Sequence, residues 1–269
     1  MKCPICSKSM TSKFIATVLE KYSAHFDFCD YCGFLRVREP YWLNEAYSSA
    51  IASTDTGLVQ RNKDLARMLA SLLYFAMGER GNGCYLDAAG GYGLLTRMMR
   101  DYGFNFYWSD KYCSNLVARG FEAGDALGIC QAVTAFEVME HLEDPINFIS
   151  DVLVYSKSDT FIFSTQLFEG APPSPDKWWY YSLETGQHIA FFQRRTLLML
   201  AERLQMQLYS FGNFHIFTSR VLSASKVRMF SGRASFLFAP LAKRFLQSKV
   251  ISDHLEMVRR LSSASGRRK

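Results

Sequence analysis

The run Cys84-Tyr85-Leu86-Asp87-Ala88-Ala89-Gly90-Gly91-Tyr92-Gly93 constrains the fold more than any other segment. An apolar strand ends at Asp87 and passes at once into a glycine-dense turn, after which Leu94-Leu95-Thr96 opens an amphipathic helix. Glycine lets the backbone take positive φ and approach a ligand closely, and the first amides of a helix lack intrahelical partners. The segment therefore reads as a strand-loop-helix cradle for a cofactor. A dinucleotide fingerprint needs G-x-G-x-x-G or a terminal alanine, whereas Gly91-Tyr92-Gly93-Leu94-Leu95-Thr96 ends in threonine. That departure weakens a dinucleotide.

Strands and helices alternate around this cradle. Leu65, Met68, Leu69, Leu72, Leu73 and Ala76 fall at helical spacing within a helix over 61–78. Strands are expected at 83–88, 104–110, 120–124, 131–137 and 159–165, with helices at 93–102, near 113–119 and at 145–156. A helix over 193–204 then leads to strands near 206–211 and 214–220, joined by Gly212-Asn213. Such alternation predicts an α/β, doubly wound, mostly parallel sheet with its ligand at the carboxyl ends of the strands, where Asp87, Asp110, Asp125 and Glu137 fall.

Carboxylates at the ends of neighbouring strands suit S-adenosylmethionine, one for its cationic amino-acid end and one for its ribose hydroxyls. The pattern of Asp87, Ala89, Gly91 and Gly93 resembles the acidic-x-Gly-x-Gly-x-Gly motif of class I S-adenosylmethionine-dependent methyltransferases, with Ala89 departing from it and Gly90 placed to compensate. Ala135-Phe136-Glu137-Val138-Met139-Glu140-His141-Leu142-Glu143-Asp144-Pro145 resembles the Glu-Val-Leu-Glu-His-Leu-x-x-Pro segment that follows the fourth strand in many small-molecule methyltransferases. Between them, Gly124-Asp125-Ala126 sits where such enzymes contact adenine. The resemblance implies a Rossmann-like sheet of seven strands, the last two antiparallel. It also implies a cofactor site of Asp87, Ala89, Gly90, Gly91, Gly93, Asp110, Asp125, Ala126 and Glu137.

Methyl transfer requires a nucleophile held in line with the sulfonium methyl, and a base when the acceptor is a hydroxyl. His141 and His188 are the candidate bases, with Glu140 or Glu184 placed to orient a ring. For His141 the plainer reading is a helix-start residue bonded to backbone. Before His188, Pro172-Pro173-Ser174-Pro175 and the aromatics Trp178, Trp179, Tyr180 and Tyr181 read as an active-site cover, with at least two of the four rings serving as a hydrophobic plug.

Cys3-Pro4-Ile5-Cys6 and Cys29-Asp30-Tyr31-Cys32 are two C-x-x-C knuckles 22 residues apart, the spacing of a zinc ribbon with four thiolate ligands. A redox C-x-x-C is the rival reading, although such motifs normally open a helix singly. Phe26, Phe28, Phe34, Leu35 and Val37 predict a short hairpin through the second knuckle. Cys84, Cys113 and Cys130 lack ligand spacing and read as small core residues or partly buried thiols.

Three segments follow: a zinc-binding module over 1–40, a methyltransferase domain over 41–220 and a basic helical extension over 221–269, with 48–56 a linker or lid. The formal charge of +6 is uneven, because from Arg220 onward there are 12 Lys or Arg against 2 acids, leaving 19 against 23 before it. The extension reads either as packed on the body or as a helix for anionic headgroups. No run of about 18 apolar residues is present and Met1-Lys2-Cys3-Pro4 lacks a secretory core, so cytoplasmic residence is expected, with peripheral contact at the inner membrane face as an option.

The zinc knuckles, the Glu-His-Leu segment and Gln187-His188-x-x-Phe191-Phe192 together resemble bacterial methyltransferases of nucleotide-linked sugars, surface polysaccharides or natural products. The expected activity is O-methylation of a saccharide or related small molecule. One rival is a ribosomal RNA methyltransferase whose basic tail tracks phosphates. The other is a non-catalytic adaptor in which the zinc ribbon binds a partner.

Overall fold

The computed structural model describes residues 1–48, 55–125 and 127–266. Along the chain come β1 (Thr11–Val18), β2 (Tyr22–Phe28), β3 (Leu35–Val37) and the single turn α1 (Leu43–Ala46). Next are α2 (Leu58–Ser71), which continues through a π-helical turn at Leu72–Ala76, then β4 (Cys84–Ala88), α3 (Leu94–Tyr102) and β5 (Asn105–Ser109). They are followed by β6 (Cys130–Ala135), α4 (Pro145–Ser156), β7 (Thr160–Ser164), β8 (Ala190–Phe191), α5 (Arg194–Arg203), β9 (Gln207–Phe211) and β10 (Phe214–Thr218). The chain ends in α6 (Ala224–Ser231), α7 (Ser235–Phe245) and α8 (Val250–Gly266). These elements form two compact units, Met1–Asp55 with Ala132–Val221, and Thr56–Gln131 with Leu222–Lys269.

In the first unit β6 and β7 pair in parallel, and β10 pairs antiparallel with both β7 and β9. β7 (TFIFS) and β10 (FHIFT) are buried throughout, which is why both read as near-continuous apolar runs rather than alternating ones. The antiparallel pair expected around Gly212-Asn213 is present as β9 and β10. A second sheet, in the order β1-β2-β3-β8, holds the first forty residues. β2 and β3 form the hairpin expected through the second knuckle. β1 and β8 were not legible in the sequence. β8 pairs with β3 through Leu35 opposite Phe191 and Arg36 opposite Ala190. Phe26, Phe28, Trp42, Tyr181 and Phe191 belong to one buried apolar cluster, so the knuckle sheet does not close a core by itself.

In the second unit β4 and β5 pair in parallel. Leu95, Thr96, Met99 and Arg100 form the buried face of α3, which ends where Gly103 takes φ +107°. A Cβ at Gly103 would lie 2.7 Å from the Gln247 carbonyl, so glycine is required there. The basic extension packs within this unit. Phe75 stacks on Phe230 and meets Phe238 edge-on, and Arg100 pairs with Asp253 of α8. Part of α7 and α8 stays exposed, Leu237 and Ile251 among it. Among the described residues no helix is long and apolar enough to cross a membrane.

Two expected elements are replaced by local turns. The strand expected at 120–124 is a single parallel bridge between Trp108 and Glu122, so that among the described residues six strands form the larger sheet where seven were expected. Gly120 sits at φ +89°, and Glu122 accepts from the Gly120 amide (2.9 Å) and from Asn115 (2.8 Å), holding the segment in a turn instead of a ladder. The helix expected near 113–119 is likewise absent. Asp110 accepts from the amides of Tyr112 and Cys113, and Asn115 from that of Ala118, and such side-chain to backbone bonds compete with helix formation.

Candidate functional site

The cradle after β4 belongs to the second unit. Ala89, Gly91 and Gly93 all take positive φ, at 52°, 55° and 85°. Position 89, where this chain departs from the glycine of the family motif, thus holds an alanine in the left-handed region. Gly90 is needed for a different reason: a Cβ there would lie 2.8 Å from Asp87 Oδ2 and 2.9 Å from the Trp108 ring. Relieving the alanine is therefore expected to stabilise the chain. Ala89→Gly should raise unfolding free energy by about 0.5–1 kcal/mol, the left-handed penalty less the extra entropy of an unfolded glycine, measured by denaturant titration.

Asp87 is buried beneath this loop and accepts a hydrogen bond from Thr96 Oγ1 at 2.9 Å. Asp110 ties the loop from the end of β5: Oδ2 accepts from the Gly91 amide at 2.9 Å, and Oδ1 takes the amides of Tyr112 and Cys113. Trp108 donates from Nε1 to the Gly91 carbonyl at 2.8 Å. The structure thus assembles Asp87, Ala89, Gly90, Gly91, Gly93 and Asp110. Thr96 and Trp108 were not singled out in the sequence. The same threonine that breaks the dinucleotide pattern orients the Asp87 carboxylate, and that signal was available. Asp125 is exposed, and Ala126 lies outside the described residues, as does most of the linker over 48–56.

Glu137 belongs to the first unit. It takes φ +55°, and Ser164 accepts from its amide (2.9 Å) while donating to its carboxylate (2.6 Å).

Also in the first unit, Glu140, His141 and His188 come together, with one donor atom from each within 4.8 Å of the others. The two imidazoles meet edge-to-face, 4.9 Å between centroids. His141 Nδ1 lies 3.1 Å from the Gln187 carbonyl and 2.9 Å from the Tyr47 hydroxyl, and His188 Nδ1 lies 2.6 Å from the Tyr180 carbonyl. Backbone carbonyls thus stand at Nδ1 of both rings. Glu140 is fully buried, whereas Glu184 is exposed and accepts from Ser182. Burial and the neighbouring His188 push His141 down to about 3, and burial also lowers His188, so the surroundings of both rings favour the neutral form. Of the aromatics before them, Tyr180 and Tyr181 are buried and Trp179 is exposed, so the run is largely plug.

Cys3, Cys6, Cys29 and Cys32 form the third cluster, their sulfurs all within 4.8 Å. Cys3 and Cys32 sulfurs lie 3.5 Å apart and those of Cys6 and Cys29 3.4 Å, and none forms a disulfide. A tetrahedral zinc with Zn–S of about 2.3 Å sets sulfurs about 3.8 Å apart, so the four fit such an ion with little movement. The amides of Ile5 and Cys6 bond toward Cys3, that of Lys8 toward Cys6 and that of Phe34 toward Cys32, the second layer a thiolate site needs. Cys84 and Cys130, expected as small core residues or partly buried thiols, are neighbours with sulfurs 2.9 Å apart.

A βα cradle closed by two strand-end aspartates is the arrangement of an α/β cofactor-binding domain. The family model described as a methyltransferase domain matches residues 60–210, more than half of the chain, and the chain belongs to that family. Among solved structures it is similar to an O-methyltransferase family protein from Burkholderia thailandensis, at 10% identity and a TM-score of 0.48, covering 65% of this chain and 61% of that one. It is also similar to magnesium protoporphyrin IX methyltransferase from Synechocystis PCC 6803 with bound SAH, at 14% identity and a TM-score of 0.41, covering 65% and 90%. A third is an O-methyltransferase family 2 protein from Planctomyces limnophilus in complex with apigenin, at 12% identity and a TM-score of 0.45, covering 69% and 63%. No curated protein matches the chain.

Proposed function

We propose that this methyltransferase uses S-adenosylmethionine to methylate a hydroxyl of a small molecule, a saccharide or natural-product intermediate. The support for the cofactor is the loop at 89–93, whose positive φ values fold a glycine-rich turn close over Asp87, with Asp110 holding it through the Gly91 amide. Bound there, S-adenosylmethionine supplies an electrophilic methyl group. Asp87 would bind its cationic end, and Asp110, braced by three amides, would orient its ribose.

The observation that carries the hydroxyl reading is the edge-to-face pair of imidazoles, each with a backbone carbonyl beside its Nδ1. A carbonyl oxygen only accepts, so a neutral ring bonded to one through Nδ1 must carry its proton there. His188 therefore presents a bare Nε2 atom suited to receive a hydroxyl proton, and His141, whose Nδ1 lies between the Gln187 carbonyl and the Tyr47 hydroxyl, does so in the tautomer that donates to that carbonyl. Support for a saccharide comes from the segments at 135–145 and 187–192.

The test is a mass-spectrometric screen of cell-envelope intermediates incubated with protein and labelled cofactor. Methylated glycan precursors are expected, and transfer only to RNA or protein would overturn the substrate class. In parallel, Asp87→Asn should weaken S-adenosylmethionine binding at least tenfold by calorimetry, whereas His188→Gln should leave it unchanged.

The proposal extends to zinc at Cys3, Cys6, Cys29 and Cys32. The ion's part there is structural, since four thiolates leave no open position for substrate.

A further inference from the structure

The donor set after β6 has a property that base catalysis alone does not need. His141 and His188 each have a backbone carbonyl beside Nδ1, at 3.1 and 2.6 Å, and a ring that donates there leaves its Nε2 lone pair bare. That arrangement, a ring locked by a carbonyl behind it, is the outer-layer pattern of metal-bound histidine. Beside the two rings stands Glu140, whose side chain is wholly buried. A carboxylate in the protein interior is costly to hold as an anion, and a cation at the same point offsets that cost. Three acceptor atoms, one from each residue, already lie within 4.8 Å of one another. Both histidines are half-buried, whereas Glu140 is fully buried.

We propose that Glu140, His141 and His188 form a binding site for one divalent transition-metal cation, distinct from the four-cysteine cluster. Two imidazoles and one carboxylate suit zinc, iron, cobalt or nickel, and three protein ligands leave positions open for an outside oxygen. This recasts the hydroxyl-methylation reading on which its role rests: a lone pair given to the cation cannot also take a proton, so with metal bound the open positions would hold the acceptor's oxygen and favour loss of its proton to solvent, in place of base catalysis by the imidazoles.

Tyr47 and Gln187 take supporting roles. The Tyr47 hydroxyl lies 2.9 Å from His141 Nδ1, and Gln187, which supplies the carbonyl behind His141, anchors its own side chain by donating to the Ala46 carbonyl at 2.8 Å. The 3-10 turn Met139–His141 places Glu140 and His141, and the Ile189 amide donates to the Glu140 carbonyl at 2.8 Å, bringing His188 alongside.

The experiment uses the full chain with its cysteine cluster already zinc-loaded. It is titrated with Co2+ alone in a calorimeter, and released zinc is followed so that exchange at the thiolates is not counted. One saturable Co2+ per chain is expected, with affinity reduced at least tenfold in Glu140→Gln and His188→Gln at unchanged melting temperature. No saturable binding, or binding that survives both substitutions, overturns the site. Should either variant fail to fold, the wild-type chain still decides. Bound Co2+ is expected to shift the ring-proton resonances of two of the five histidines, and their remaining in place overturns the proposal. Metal binding is read here without any methyl transfer, so failure leaves the proposed activity standing. Conversely, failure of the glycan screen leaves the metal site standing.

Discussion

Replacing Arg100 with alanine is expected to lower the unfolding free energy by about 3–5 kcal/mol, the range for removing one partner of a buried ion pair. Arg100 is 4% exposed and Asp253 6%. Nε and Nη2 of Arg100 meet the two carboxylate oxygens of Asp253 at 2.8 and 2.7 Å, a bidentate pair. Nη1 donates to Asn105 Oδ1 and to the Phe106 carbonyl, and the guanidinium lies 3.6 Å from the Phe121 ring centroid. Alanine would remove all of these and leave Asp253 with Arg97, which reaches it at 2.8 Å, and the weaker field of Lys249. Urea titration measures the loss. The paired change Arg100→Met with Asp253→Leu should recover most of it, because no charge then stays buried without its partner. Recovery of nothing would show that packing on Phe121 dominates.

The same pair sets a pH dependence. Burial pushes Asp253 up, but its bonds and proximity to Arg100 and Arg97 outweigh this and leave it below its ordinary value. A carboxyl lowered on folding contributes stability above its unfolded value of about 3.9, and that contribution is lost as pH falls through the folded value. Melting temperature should therefore be flat in this respect near neutrality and fall below about pH 4, with α8 becoming protease-sensitive. Asp253→Asn should flatten that acid limb.

The second large effect is expected at the cysteine cluster. Metal binding to a structural four-cysteine site contributes folding free energy of about 10–16 kcal/mol in isolated modules. Cys32→Ser, or chelation of the wild-type chain, should release one zinc per chain and abolish protection of backbone amides in β1 to β3 in hydrogen exchange. Protection should also fall at β8, since Leu35 and Arg36 of β3 pair with Phe191 and Ala190. Exchange in β4 and β5, which belong to the other unit, should change little. Unaltered protection after complete zinc loss would refute a metal-dependent knuckle sheet.

The contrast between what the residues revealed and what they concealed has physical causes. The strand-loop-helix at 84–102 was legible because glycine spacing, apolar periodicity and an acidic strand end all act locally. The Cys-x-x-Cys pairs were legible because ligand spacing is a local matter too. β8 was not: two residues carry no period, and Ala190–Phe191 is a strand only because β3 stands beside it. The strand expected at 120–124 failed for the opposite reason, its apolar residues outvoted by Asn115, Gly120 and Glu122. For the histidines, adjacency to strand ends was visible, but the carbonyls that fix their tautomers come from Tyr180 and Gln187, which no pattern connects to ring chemistry. Glu184, chosen for its nearness to His188 in sequence, proved to be solvent-facing.

The short strand at 190–191 also decides what can be cut away. Cleaving the chain after residue 40 in search of a minimal catalytic fragment would strip β8 of its neighbour and uncover Tyr181, Ile189 and Phe191, all at most 2% exposed now. A raw backbone edge flanked by oily rings is an invitation to self-association. The fragment should precipitate, and the amino-terminal knot is better regarded as the keel of its unit than as a detachable accessory.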